Sequence, residues 1–133
     1  MLSMNVKPIG TTKWRGRLGE KPASVMVEHI YRHRLERDEA TLPYLTEASM
    51  AHVVMLADTG IISQEDARSL LRVLLEIDQQ SLAQLSLDAE LEGLYYNFER
   101  YIIGALGARV GGKLHTGRSR NDLGAVAVAT VFV

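Results

Sequence analysis

The chain has 133 residues, 47% hydrophobic and 23% charged, which is the composition of an ordinary globular domain. Its formal net charge of −1 lacks the basic excess of dedicated nucleic-acid or anionic-membrane binders and argues against both kinds of partner. It has no cysteine, no signal-peptide core and no apolar run near the roughly 18 residues of a membrane span, all compatible with a cytoplasmic protein.

Residues 1–21 contain one proline and three glycines among polar residues, without a hydrophobic period. This pattern predicts an extended N-terminal arm. A first helix is predicted from Pro22 to Ala40, because proline suits the first turn of a helix. A second is predicted from Pro43 to Ala57.

The second helix should end at Gly60, since glycine commonly closes a helix C-terminus. A third helix should follow Ser63, which has an acidic residue three positions on in a capping-box pattern. A fourth is predicted from Leu91 to Leu106 by its apolar spacing. No alternating strand pattern competes, so the predicted fold class is all-α.

The segment KLHTGRSRND, residues 113–122, concentrates hydrogen-bond donors before an apolar run. Ser119 and Asp122 form a second capping-box pattern and predict a helix start. Such a start presents free N–H groups and the positive end of the helix dipole. Arg120 adds a fork suited to carboxylate or phosphate, and Asn121 adds an amide donor. The segment therefore suggests an anion-binding helix N-terminus.

The preceding loop brings His115 and Thr116 near this helix start, and Gly111, Gly112 and Gly117 should permit turns that other residues resist. Simple capping beside a solvated loop remains an alternative on pattern alone. A phosphate-binding P-loop does not fit the glycine spacing. Contact of RSR with nucleic acid lacks flanking aromatic residues for base stacking.

Other residues carry weaker signals. His29 and His33 have a spacing that can bind metal, but neighbouring arginines favour a solvated face, and no metal site is predicted. His52 lies in an apolar helix and is predicted to be a packed core residue. The aromatic residues between Tyr95 and Tyr101 have the helical spacing of a core.

The segment GKLHTGRSRND resembles the signature of argininosuccinate lyases, within the aspartase/fumarase superfamily. WRGRL at 14–18, GIISQEDARSLLRVL at 60–74 and ERYIIGALG at 99–107 are similar to further parts of the family's N-terminal region. The resemblance implies three parts: an extended arm (1–21), an N-terminal helical domain (22–117) and the beginning of a central helical bundle (118–133).

Enzymes of this family eliminate fumarate from an N-substituted aspartate. The resemblance implies that Asn121 binds substrate and that Ser119 and Arg120 line the same carboxylate site, while His115 and Thr116 shape the loop. It implies an N-succinyl substrate, no cofactor, and a cytoplasmic homotetramer that acts in arginine biosynthesis.

Two departures bear on the leaving group. The family's acidic-Asp-x-His element aligns with LEGLYYNFER, which places Gly93 and Tyr95 where Asp and His are expected. A substrate-contacting serine of the first helix has no clear counterpart near Glu28. These differences keep open a lyase for another N-succinyl amine or an aminopolycarboxylate.

By the resemblance, the catalytic residues are expected downstream of Val133. Because the chain ends within an apolar helix, we expect it to be a truncated part that is inactive alone. A non-catalytic helical interaction module is the alternative from a different class.

Overall fold

A computed structural model describes residues 22–79, 85, 87–91 and 93–131. The predicted arm at 1–21 lies outside these residues. The regular structure within them is helical, without a β-strand, which confirms the all-α prediction. The α-helices are α1 (Ser24–Met26), α2 (Arg32–Asp38), α3 (Leu42–Asp58), α4 (Gln64–Gln79), α5 (Leu94–Gly111) and α6 (Arg120–Val131). None of the described helices is long and apolar enough to cross a membrane.

The first helical segment contains a π-helical turn, Val27–Tyr31, which joins α1 to α2 without a break. The segment begins at Ser24, two residues after the predicted start. The periodicity gave no sign of the π turn, because a single wider turn hardly disturbs the pattern of apolar residues. A 3-10 turn, Glu39–Thr41, then leads into α3.

Helix α3 begins close to its predicted position, with Pro43 in the first turn, where the missing N–H costs no helical hydrogen bond. Gly60 follows its end with φ 72°, as predicted for a glycine that closes a helix. The Ser63 hydroxyl then accepts a hydrogen bond from the Asp66 N–H at 3.1 Å. This bond confirms Ser63 as the N-terminal cap of α4.

The apolar face of helix α4 lies in the core, and α3 and α5 both pack against this helix. Its residues Leu70 and Leu74 are completely buried, as are Phe98 and Ile102 of α5 and Val53 of α3. Burial of each large apolar side chain stabilises the fold by about 1.5–3 kcal/mol. This shared core fixes α3, α4 and α5 as the frame on which the signature segment lies.

Helix α5 is broken at Gly107, whose φ of 77° and ψ of 161° are essentially restricted to glycine. After this residue the chain turns back against its own helix. A Cβ built on Gly111 would lie 2.8 Å from the Ile103 Cα, so only glycine fits there. The predicted helix end at Leu106 therefore marks a real break, although helical structure resumes beyond it.

Helix α6 packs against α3. Its Leu123 joins the hydrophobic core, whereas Val126 is 45% exposed. The first turn of the helix therefore joins the frame. This brings the start of α6, where the signature segment ends, next to α2 and α5.

Candidate functional site

The signature segment leaves α5 through a 3-10 turn, Gly112–His115, and a turn at Gly117 with φ 65°. Gly117 thus adopts the left-handed backbone expected of it. Gly112 does not, since its φ of −65° is one that any residue can adopt. Gly111 likewise has an ordinary φ of −59°, and its glycine is required by close packing instead.

Lys113 anchors the beginning of the segment to α4. Its ammonium group pairs with the carboxylate of Asp66, which is 7% exposed, and Arg109 lies 3.9 Å from the same carboxylate. The hydrogen bond from Lys113, supported by one from Ser63, lowers the pKa of Asp66 below its ordinary value. An ionised Asp66 therefore ties the helix-capping turn of α4 to the signature segment.

His52 anchors the middle of the segment to α3. Its Nε2 donates to the Thr116 carbonyl oxygen at 3.0 Å. Burial lowers the pKa of His52, and the positive charge of Arg118 lowers it further. The hydrogen bond to Thr116 acts in the opposite direction and raises it. His52 is only partly buried and is not part of the hydrophobic core, so it differs from the packed core histidine that the sequence predicts, and its bond to the signature segment was missed.

Arg118 provides a third anchor, because its Nη1 donates to the Ser49 hydroxyl at 3.2 Å. Ser49 is completely buried in α3. Burial lowers the pKa of Arg118 from its ordinary high value, without making the guanidinium neutral at physiological pH. The positive charge of Arg118 therefore lies close to α3, although the residue itself stands just before the start of α6 in the chain.

His115 faces α5, where its Nδ1 lies 2.7 Å from the Tyr95 hydroxyl. The two rings are inclined at 49° with centroids 5.6 Å apart. Burial raises the pKa of Tyr95, so its phenol keeps its proton and can donate to a neutral His115. Tyr95, where the resemblance leads us to expect a histidine, thus contacts the signature segment directly.

Ser119 and Asp122 form a reciprocal cap at the start of α6. The Ser119 N–H donates to Asp122 Oδ2 at 3.1 Å, and the Asp122 N–H donates to Ser119 Oγ at 3.3 Å. Hydrogen bonding from the Ser119 side chain, and next from the Ser119 backbone N–H, lowers the pKa of the Asp122 carboxyl. The predicted capping box is therefore present.

Arg120 and Asn121 line a cleft of about 540 Å³ between α6, α2 and α5. The lining residues are Arg34, Asp38, Thr41, Leu45, Gly93, Leu94, Tyr95, Tyr96, Arg120, Asn121, Leu123 and Gly124. The Arg120 guanidinium carbon lies 4.7 Å from the centre of the Tyr96 ring. Two guanidinium groups, an amide and a helix N-terminus therefore border one cavity, as recognition of a carboxylate requires.

The opposite wall of the cleft carries Arg34 and Asp38, whose Nε and Oδ2 atoms are 3.6 Å apart. A Cβ on Gly93 would lie 3.8 Å from each of those two atoms, an ordinary contact distance. A side chain at this position would therefore pack directly against the ion pair, and glycine leaves that contact unmade. Gly93, where the resemblance leads us to expect an Asp, therefore lies in the lining of the cleft next to this pair.

The five predicted site residues fall into two groups. Arg120 and Asn121 line the cleft, whereas His115, Thr116 and Ser119 take part in contacts that shape the segment. Within the described part of the chain, no group of three or more His, Asp or Glu side chains could hold a metal ion.

Sequence reasoning missed Ser49, Tyr96, Arg34 and Asp38. Ser49 lies 69 positions from its partner Arg118, and a pairing over that distance leaves no local pattern. Tyr96 looked like a core aromatic because of its spacing. Arg34 and Asp38 carried a detectable signal, since residues four apart share one helix face, but this face had no visible connection to the signature segment.

Comparison with known proteins finds several argininosuccinate lyases that are similar to this chain. The chain is 38% identical over 109 residues to argininosuccinate lyase 1 of Shouchella clausii. It is 37% identical over 108 residues to argininosuccinate lyase of Methanocaldococcus jannaschii and 40% identical over 112 residues to that of Bacillus cereus. Each match covers 81–82% of this chain and 22–23% of the relative.

No protein-family model matches the chain, and no solved structure matches it. The chain spans about a fifth of the length of the curated relatives that it matches. Identity of 34–40% extends over 81–82% of this chain in these matches. The chain is therefore a homologue of the argininosuccinate lyases and corresponds to one segment of these longer proteins.

Proposed function

We propose that this chain supplies the carboxylate-binding part of an argininosuccinate lyase, a C–N lyase that converts argininosuccinate into arginine and fumarate. The observation that supports this most directly is the position of Arg120 and Asn121 in one cleft at the start of α6. The similarity to argininosuccinate lyases supplies the identity of the carboxylate, that of the succinyl group.

The reaction removes a proton from a carbon next to a carboxylate, and the C–N bond then breaks as the double bond of fumarate forms. The amine leaves with the bonding electron pair and takes up a proton. Because negative charge accumulates on the carboxylate during proton removal, donors aimed at it stabilise the transition state more than the substrate.

In this chain the donors for that carboxylate are the Arg120 guanidinium, the Asn121 amide and the N-terminus of α6. Arg120 provides two parallel N–H groups, and Asn121 one or two more. The Ser119–Asp122 cap fixes the direction of the helix start, so that these donors do not need to reorganise during the reaction. We assign no proton-abstracting base among the cleft residues, and by the family resemblance it is a serine beyond Val133.

The proposal extends to the complete protein. By the same resemblance it is a cytoplasmic homotetramer, and residues 118–133 begin its central helical bundle. Ser119, Thr116 and His115 belong to the substrate site as residues that shape it. The names of the matched proteins favour argininosuccinate as substrate.

A related substrate is the second candidate, and the Gly93 wall of the cleft favours it. Where the family pattern has an acidic residue, this chain has Gly93, which leaves the space of a side chain unfilled next to the Arg34–Asp38 pair. An N-succinyl amine with a different charge pattern would use that space. The two candidates share the succinyl end and differ only in the amine.

The test is an assay of the full-length protein that contains this chain, with fumarate followed by its ultraviolet absorbance. We expect argininosuccinate to release fumarate, and fumarate plus arginine to be consumed in the reverse direction. Consumption with a diamine or another amino acid, but not with arginine, would establish the second candidate. Absence of turnover with every amine, in a folded protein, would contradict both and favour a non-catalytic module.

A further inference from the structure

The two adjacent tyrosines at the start of α5 each contact one residue of the signature segment. Tyr95 meets His115 through its hydroxyl at 2.7 Å, and Tyr96 meets Arg120 through its ring at 4.7 Å. The two tyrosine rings also touch each other edge to face, with centroids 6.2 Å apart and planes inclined at 64°. A continuous series of contacts thus runs from His115 through both rings to Arg120.

This series holds the Tyr96 ring from one side. Tyr95 is half-buried, packs against the hydrophobic core and is fixed at its hydroxyl end by His115. Its edge-to-face contact limits the orientations open to the Tyr96 ring. The guanidinium of Arg120, whose side chain is otherwise exposed at the mouth of the cleft, lies over the Tyr96 ring.

We infer that Tyr96 is a positioning residue, which holds the Arg120 guanidinium in the cleft in the orientation that binds the substrate carboxylate. Stacking on an aromatic face leaves the N–H groups at the guanidinium edge free to point at a carboxylate in the plane of the fork. It also reduces the number of conformations that Arg120 loses when a ligand binds. The inference rests on the proposed function, since it takes the succinyl carboxylate as the ligand of Arg120.

The experiment measures fumarate binding by calorimetry, and the KM and kcat of argininosuccinate cleavage, on the full-length protein. Tyr96→Leu removes the aromatic face, whereas Tyr96→Phe keeps it and loses only the hydroxyl. For a cation–π contact of this kind we expect Tyr96→Leu to weaken fumarate binding and raise KM by roughly three- to tenfold, with a smaller effect on kcat. Tyr96→Phe should restore binding to within about twofold of the unmodified protein.

A double-mutant cycle separates positioning from a general structural effect. If Tyr96 acts through Arg120, Tyr96→Leu should have no further effect on fumarate binding in an Arg120→Ala background. Equal weakening in both backgrounds would overturn the inference, as would tighter binding by Tyr96→Leu alone. Tyr96→Met, an apolar side chain of similar length, takes the place of Tyr96→Leu if that variant does not fold.

The outcome also distinguishes this inference from the proposed function. Fumarate binding that depends on the coupling between Tyr96 and Arg120, without cleavage of argininosuccinate, would contradict the proposed function alone. Cleavage of argininosuccinate with independent effects of the two substitutions would contradict the positioning role alone.

Discussion

The Nε2 of His52 donates a hydrogen bond to the Thr116 carbonyl oxygen at 3.0 Å, across 64 positions of the sequence. Arg118, which bonds Ser49 one helical turn away on α3, lowers the pKa of His52 in addition to the larger effect of burial. The histidine is therefore held neutral in the folded state, beside a permanent positive charge. Protonation of His52 would place two cations together at the base of the signature segment.

This relationship predicts a loss of stability on mild acidification. Because the folded state has the lower pKa for His52, the unfolded chain takes up its proton first as the pH falls below about 6.5. The free energy of unfolding by urea should thus decrease between about pH 7 and about pH 5.5, and His52→Gln should reduce that decrease. The control His29→Gln, on an exposed turn, should retain the full decrease.

Removal of the cap on α6 should destabilise the protein. Ser119→Ala loses the hydroxyl that accepts from the Asp122 N–H, and we expect a cost of about 1 kcal/mol in the free energy of unfolding. Ser119→Thr keeps the hydroxyl and should recover most of the loss. Equal stability of the Ala and Thr variants in urea titrations would show that the cap contributes nothing.

Substitution of three glycines near the end of α5 by alanine should change the stability of the protein to different extents. Gly107→Ala forces a side chain into a backbone conformation with φ 77°, at a cost of about 1–3 kcal/mol. Gly111→Ala brings a Cβ to 2.8 Å from the Ile103 backbone and should also destabilise. Gly112→Ala meets no atom within 4 Å and should change stability by less than about 0.5 kcal/mol. Thermal unfolding of the three variants tests this order.

The Asp66–Lys113 pair should stabilise the fold only while Asp66 is ionised. Its folded-state pKa is lowered, chiefly by the Lys113 hydrogen bond, so its contribution is present above about pH 3.9 and is lost as the pH falls further. Asp66→Asn should lower stability near neutral pH and flatten the acid limb of a stability titration.

The two cleft residues of the signature should affect the reaction in different ways. Asn121→Ala removes a donor aimed at the accumulating charge, and we expect kcat for argininosuccinate cleavage by the full-length protein to fall by about 10²–10³. Arg120→Lys keeps the charge but loses the paired N–H geometry, so we expect a smaller fall in kcat together with a raised KM. Gln64→Ala, at the exposed start of α4, is the control and should leave both parameters unchanged.

The sequence predicted the helices well where local chemistry decides their ends. Ser63 and Ser119 were identified as caps and Gly60 as a helix end, because these functions depend on neighbours three or four positions away. The predicted helix end, Leu106, lies one residue before the observed break at Gly107, where the chain reverses its direction. Its direction could not be predicted, because it follows from packing of Gly111 against the Ile103 backbone.

The candidate site was predictable in part. Arg120 and Asn121 could be selected from the motif and lie together in the cleft, but their role in binding stays a prediction. The opposite wall, with Arg34 and Asp38, could not be connected with them from sequence. The docking of α6 on α3, which brings the two walls together, depends on contacts across some 70 positions.

The three anchors of the signature segment have a consequence for the thermodynamics of ligand capture. Lys113, Thr116 and Arg118 are each bound to α3 or α4 ahead of the two residues that face the cleft. The main-chain entropy of this loop is thus already lost on folding, instead of on encounter with the anion. Ligand binding therefore does not include the entropy loss that ordering a flexible loop would add. Substitution of any one anchor should weaken the affinity for the anion, although no anchor contacts the ligand.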